Sequence, residues 1–103
     1  MKKAQKKPII IEFIRLTDSN IKEVYEAIHT TKVNTPNLKA QDSWDIYEDI
    51  VKNNGMHLKT PESGGETQIA SIGDYIVFGN SEKLGRHCWP VKPDYFESAY
   101  DIL

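Results

Sequence analysis

The run Tyr75-Ile76-Val77-Phe78 constrains this chain more than any other stretch. Successive residues of a strand point to opposite faces. Tyr75 and Val77 therefore share one face, and Ile76 and Phe78 the other. Both faces are apolar, so the strand needs cover on both sides, which suggests a central place in a sheet. Gly73-Asp74 ahead of it reads as a turn, because Gly tolerates positive φ and Asp bonds its own local backbone. Gly79 to Gly85 reads as a hairpin loop, and Arg86 to Val91 as the return strand. Pro90 cannot donate to a ladder, which implies an edge or a strand end there. Pro93-Asp94 stops the strand. Asp94 and Glu97 have capping-box spacing for a short helical turn that folds Tyr95 and Phe96 back over the sheet.

The pattern Gly73-Asp74-Tyr75-Ile76-Val77, a glycine-containing hairpin, then Pro90-Val91-Lys92-Pro93-Asp94-Tyr95-Phe96-Glu97 and Tyr100 resembles a family of small proteins of tailed phages and prophages. The opening Lys6-Lys7-Pro8-Ile9-Ile10-Ile11-Glu12, followed by a polar cap at Asn20, is similar to the family's N-terminal strand and helix start. The likeness covers both ends of the chain. The middle, about residues 31–54, looks longer and more helical than is usual in the family, and Arg86 follows Gly85 where the family tends to have Glu. The resemblance implies a phage or prophage origin and a place in the cytoplasm of a bacterial host. It implies no activity.

Taken in order, Pro8 to Leu16 is β-branched and apolar and reads as a second strand covered on both sides. Ile9, Ile11 and Phe13 share one face; Ile10, Ile14 and Leu16 share the other with Glu12. Asn20 and Glu23 have N-cap-to-N3 spacing. The helix that follows runs from Ile21 to about Thr30, with Ile21, Val24, Tyr25, Ala27 and Ile28 within an arc of about 160°. Thr31 to Gln41 contains the turn signature Asn34-Thr35-Pro36-Asn37 and reads as a mobile or functional loop. Asp42 or Ser43 caps a second helix to about Asn53, with Trp44, Ile46, Tyr47, Ile50 and Val51 on one arc. Asn54-Gly55 supplies a left-handed stop. Met56 and Leu58 point inward with His57 and Lys59 outward, Pro61 to Gly65 turns, and Glu66 to Ser71 returns with Ile69 inward. Ser98 to Leu103 is the candidate for a last strand, pairing with the first. This is an α+β domain: an antiparallel sheet, able to curl into a partly open barrel, with two helices packed on it.

Length allows one domain, residues 8–103, behind a flexible basic tail at residues 1–7. The formal net charge of the 103 residues is −2. Lys2, Lys3, Lys6 and Lys7 lie in the tail, so residues 8–103 carry −6. An acidic body lacks the basic face of a duplex-binding domain, which makes a nucleic-acid role unlikely. One cysteine, Cys88, excludes an internal disulfide and fits a reducing compartment. No apolar run approaches the ~20 residues of a membrane span. The N-terminal lysines lack a following signal-peptide h-region.

Each candidate for chemistry has a structural explanation. His87 and Cys88 are neighbours on a strand, so their side chains diverge and cannot form a nucleophile–base dyad. His57 could approach Cys88 only through space. His29, His57, His87 and Cys88 show no local chelating spacing, so no metal is expected. Ser63-Gly64-Gly65 lacks the Lys-Ser/Thr that completes a phosphate loop. Asp74 and Asp94 are accounted for as turn and cap, and neither they nor Glu66 and Glu97 are expected to be catalytic. Trp44 lies on the apolar arc of its helix and reads as core. Trp89, with His87 on its face and with Arg86 and Lys92 nearby, is the contact candidate, because an aromatic beside a cation can stack on a base or on a partner's ring.

The expectation is a non-enzymatic accessory protein acting by protein–protein interaction, with a homodimer among the assemblies considered. The alternative is a small-ligand, nucleotide-type binding or sequestering protein that uses Trp89, Arg86, Lys92 and His87, with the Thr31–Gln41 loop as a lid. A minor enzyme is the least favoured. No cofactor is implied.

Overall fold

The computed structural model describes residues 1–4, 11–59, 67–81 and 85–103. The element order is β1 (Glu12–Arg15), α1 (Ile21–His29), α2 (Leu38–Asn54), β2 (Met56–Lys59), β3 (Thr67–Ala70), β4 (Tyr75–Ser81), β5 (Gly85–Val91) and α3 (Pro93–Ala99). The fold is α+β. β1, β4 and β5 form a three-stranded antiparallel sheet with β4 in the middle, while β2 and β3 form a separate hairpin. The larger sheet is open rather than closed into a barrel: β1 and β5 flank β4, and no described strand joins them.

β4 has the two covered faces that its sequence requires. Ile76 joins Leu16, Ile21, Val24, Val51, Met56, Leu58, Ala70 and Cys88 in the main core, with Phe78 packed against it. Tyr75 and Val77 join Val91 and Phe96 in a second cluster on the opposite face. There Tyr75 and Phe96 stack, with centroids 4.0 Å apart. Full burial of an aliphatic or aromatic side chain contributes about 1.5–3 kcal/mol, so two clusters on one strand make β4 the centre of the fold's stability. The strand is longer than its apolar run. It continues through Gly79 to Ser81, and β5 opens at Gly85, so the hairpin is tighter than a loop from Gly79 to Gly85. Residues 82–84 lie outside the described set.

β5 has a ladder partner on one side only, which accommodates Pro90 opposite Ile76. β1 is the other edge, so its two faces are less completely covered than expected. Ile14 packs toward the main core and Ile11 toward the second cluster. Phe13, partly exposed, meets Phe96 at 4.9 Å. The expected start of this strand, Pro8 to Ile10, lies outside the described residues.

The turn before β4 is built around Asp74, which is 4% exposed. Its Oδ2 accepts from the Ser71 N–H at 2.9 Å and pairs with Lys92 Nζ at 2.7 Å. Gly73, at φ +98°, donates its N–H to the Leu16 carbonyl at 2.7 Å. Leu16 N–H in turn donates to the Asp74 carbonyl at 2.9 Å, so the turn is tied to the chain just after β1.

Five local expectations are corrected. Asn20 stands at the start of α1, yet its side chain makes no helix cap. Its Oδ1 accepts from Thr17 N–H and its Nδ2 donates to the Arg15 carbonyl, so the amide closes the β1–α1 turn instead. α2 begins at Leu38 rather than after Ser43, because Asn37 is extended and its Oδ1 accepts from the Ala40 N–H. On the same helix Ile46 is 60% and Ile50 47% exposed, while Val51 is buried. Ile69 is not inward: the register sets Ala70 opposite Met56 and Gln68 opposite Leu58, which turns Ile69 out with His57. Finally, the segment after Phe96 forms no strand. α3 continues to Ala99, starts with Pro93 at its first position, and takes its cap from the Lys92 backbone rather than from an Asp94–Glu97 box. Residues 100–103 form no regular element, although Tyr100 stacks on Phe96 at 4.9 Å.

Candidate functional site

The sequence-selected residues do not converge. Trp89 and His87 share a face of β5 and stack at 5.3 Å. Trp89 packs against the second cluster, and its ring lies over Gly79: a Cβ there would sit 3.0 Å from Cη2 and Cζ3. Arg86 is on the opposite face, its guanidinium 4.8 Å from the Phe78 centroid and its Nη1 donating to the Ala27 carbonyl at 3.1 Å. It ties β5 to α1. Lys92 lies beyond the strand and pairs with Asp74.

The other chemical candidates are likewise engaged in the fold. Cys88 is buried in the main core, while His57 is on the exposed face of β2. Glu97 Oε1 accepts from the Tyr75 hydroxyl at 3.3 Å. Asp94 is exposed in the first turn of α3, where a negative charge favours the helix dipole. Ser63, Gly64, Gly65 and Glu66 lie outside the described residues. Among the described residues no three His, Cys, Asp or Glu side chains converge as a metal site would require.

The feature that sequence reasoning missed is a groove of about 370 Å³ between α1 and α2. Its walls include Tyr25 from α1, Trp44 and Tyr47 from α2, and Val33, Asn34 and Thr35 from the connection. Helical spacing explains the α2 side: positions 40, 43, 44 and 47 recur at i, i+3, i+4 and i+7, so Ala40, Ser43, Trp44 and Tyr47 share one stripe. α1 ends at Thr30 in the left-handed region (φ 48°), which turns the chain. Val33 N–H then donates to Glu26 Oε2 at 2.7 Å, holding the connection against α1. The region expected to be a loop to Gln41 is therefore shorter, because residues 38–41 belong to α2, and its residues 33–35 form part of the groove wall.

The three rings touch. Tyr25 meets Trp44 at 5.3 Å and Tyr47 at 5.4 Å, nearly edge-on at 75° and 73°. Trp44 and Tyr47 lie 5.2 Å apart, inclined by 34°. Such offset and edge-to-face pairs add about 0.5–1.5 kcal/mol each beyond area burial. All three are half-buried, packing against the main core while also bordering the groove. Burial, reinforced by the neighbouring Tyr25, raises the Tyr47 pKa above the ordinary tyrosine value of 10.0, so Tyr47 stays a hydroxyl at neutral pH. Among the described residues, none of the three rings uses its polar hydrogen on a protein acceptor, and none of those polar atoms is buried without a partner. A signal for this site was present in the sequence: three aromatics on the apolar arcs of consecutive helices joined by a Pro-Asn turn.

No family model, curated protein or solved structure matches the chain. No helix among the described residues is long and apolar enough to cross a membrane.

Proposed function

We propose that this chain is a phage- or prophage-encoded accessory protein, non-enzymatic, that acts in the bacterial cytoplasm by binding a protein partner. The observation that carries the binding role is the open aromatic groove, continued on the outer side of α2 by the exposed Ile46 and Ile50. Aromatic side chains flanked by exposed aliphatics are the composition of contact surfaces, where a few such residues dominate the binding energy. The phage origin and host location rest on the sequence resemblance alone.

The experiment is affinity capture from infected cells with the natural protein and with an Ile46→Lys, Ile50→Lys variant run side by side. A partner retained by the first and lost by the second is the expected result. Equal recovery would place the contact elsewhere, and turnover of a substrate by the purified protein would overturn the reading.

A small-ligand, nucleotide-type role is the second reading. The groove's volume falls within the range of small-molecule sites, and its rings can stack on a planar group. This moves the candidate site from Trp89 to Trp44. Native mass spectrometry of the protein as purified tests it: a mass above that of the polypeptide favours a retained ligand.

A further inference from the structure

We infer that the groove between α1 and α2 docks an extended, proline-containing segment of a partner protein, with basic residues flanking the prolines. The inference rests on the protein-partner reading above and names the chemistry of the contact.

The first ground is the wall. Trp44 and Tyr47 present two ring faces inclined by 34°, and Tyr25 stands nearly perpendicular to both. Inclined aromatic faces in an open groove hold the flat sides of pyrrolidine rings. A polyproline segment is already extended before binding, so little ordering entropy is lost when it docks. The second ground is hydrogen bonding. Trp44 has an N–H donor, Tyr25 and Tyr47 have hydroxyls, and none of these hydrogens is used within the described protein. A proline offers a backbone carbonyl but no N–H. Donors around the groove and acceptors along the segment are therefore complementary.

Charge supplies the third ground. None of the residues lining the groove is charged, so the seated part of the partner is neutral. The exposed side of α2 carries Asp42, Asp45 and Asp49 against Lys39 and Lys52. The body of the chain is acidic as a whole. The electrostatic complement is a lysine or arginine next to the prolines, which also speeds encounter. Extent is the fourth ground. Positions 43, 46, 47 and 50 follow i, i+3, i+4, i+7 spacing, so the exposed Ile46 and Ile50 continue the groove over the shoulder of α2. A surface that runs on past the groove suits a chain rather than a molecule that fits inside it.

The test titrates the full-length protein into a fluorescein-labelled peptide Pro-Pro-Leu-Pro-Pro-Lys-Arg, read by fluorescence anisotropy. Adenosine is titrated separately, with both ligands mapped by amide NMR shifts. Saturable peptide binding is expected, with shifts at Tyr25, Trp44 and Tyr47. The double variant Tyr25→Phe, Tyr47→Phe keeps both rings and should weaken binding by about 5–20-fold, the loss of two hydrogen bonds. Trp44→Ala should weaken it further, with far-ultraviolet circular dichroism confirming that the variant is folded. Replacing Lys-Arg by Glu-Glu in the peptide should also reduce affinity several-fold. Peptide binding unaffected by the tyrosine variant would overturn the proposal. Shifts from adenosine with none from the peptide would overturn both the proposal and the protein-partner reading. Silence from both ligands, with a concentration-dependent dimer abolished by Ile46→Lys, would overturn the proposal while leaving the partner reading in place, the partner being a second copy.

Discussion

α1 and α2 carry apolar arcs of similar width in the sequence, and the fold treats them differently. α1 has nine residues and buries Ile21 and Val24 completely, with Tyr25 and Ile28 packed beside them. α2 has seventeen residues and buries only Val51, near its C-terminal end. Trp44 and Tyr47 are half covered, and Ile46 and Ile50 are left outside. An apolar arc tells which side of a helix turns inward. How much of that arc is covered depends on what lies opposite, and a helix of this length, about 25 Å at 1.5 Å per residue, extends past its cover. α1 works as a wall of the core. α2 is anchored at its C-terminal end, and the exposed part of its arc borders the groove.

The largest test of this contrast sets one isoleucine against another. Ile21→Ala on α1 should cost about 2–5 kcal/mol, the usual range for a buried aliphatic side chain, in a urea unfolding curve. Ile46→Ala on α2 should cost under about 1 kcal/mol. Equal losses would mean that α2 is as deeply packed as α1, and the contrast would fail.

The next test compares the asparagines that begin the two helices. Asn37→Ala removes one side-chain cap and should cost about 1 kcal/mol. Asn20→Ala removes bonds at both Thr17 and Arg15, so it should cost about 1–3 kcal/mol. Equilibrium unfolding of both variants in the same denaturant would rank them. A smaller effect at Asn20 would show that the β1–α1 turn closes without its amide.

The smallest effect concerns pH. The folded state holds the Tyr47 pKa above its unfolded value of 10.0, chiefly by burial and secondarily through Tyr25. The neutral hydroxyl is thus favoured by folding. This contribution is fully present below the unfolded pKa and is lost as pH rises through the folded one, because the unfolded chain ionises first. Tyr47→Phe should therefore leave the melting temperature at pH 7 nearly unchanged and lessen its fall above pH 10. An identical alkaline decline in both proteins would mean that Tyr47 is well solvated.

What could be read in the sequence was local. The two-faced β4, the turn at Gly73-Asp74 and the inward Met56 and Leu58 follow from alternation within a few residues. The errors arose where distant groups compete for one residue. Asn20 looked like a cap, but the backbone of Arg15 and Thr17 claims its amide. Ile69 looked inward until the register with β2 gave that place to Ala70. The grouping of Trp89 with Arg86 relied on closeness along the chain, although an odd separation on a strand puts two side chains on opposite faces. The groove depends on Tyr25 meeting Trp44 and Tyr47 across a chain reversal, and no window of neighbouring residues contains that meeting.

Gly55 sets a limit on how such a chain can drift. It sits between α2 and β2 at φ +89°, and any Cβ there would lie 2.5 Å from Ile69 Cγ2 and 2.8 Å from the Ala70 carbonyl oxygen. A larger residue at position 55 therefore demands a smaller one at position 69, a displaced strand backbone at Ala70, and a tolerated left-handed φ. Single mutational steps cannot deliver these together. Descendants of this sequence can vary freely on the outer side of α2, where a new partner would be met, while the joint at Gly55 is inherited unchanged.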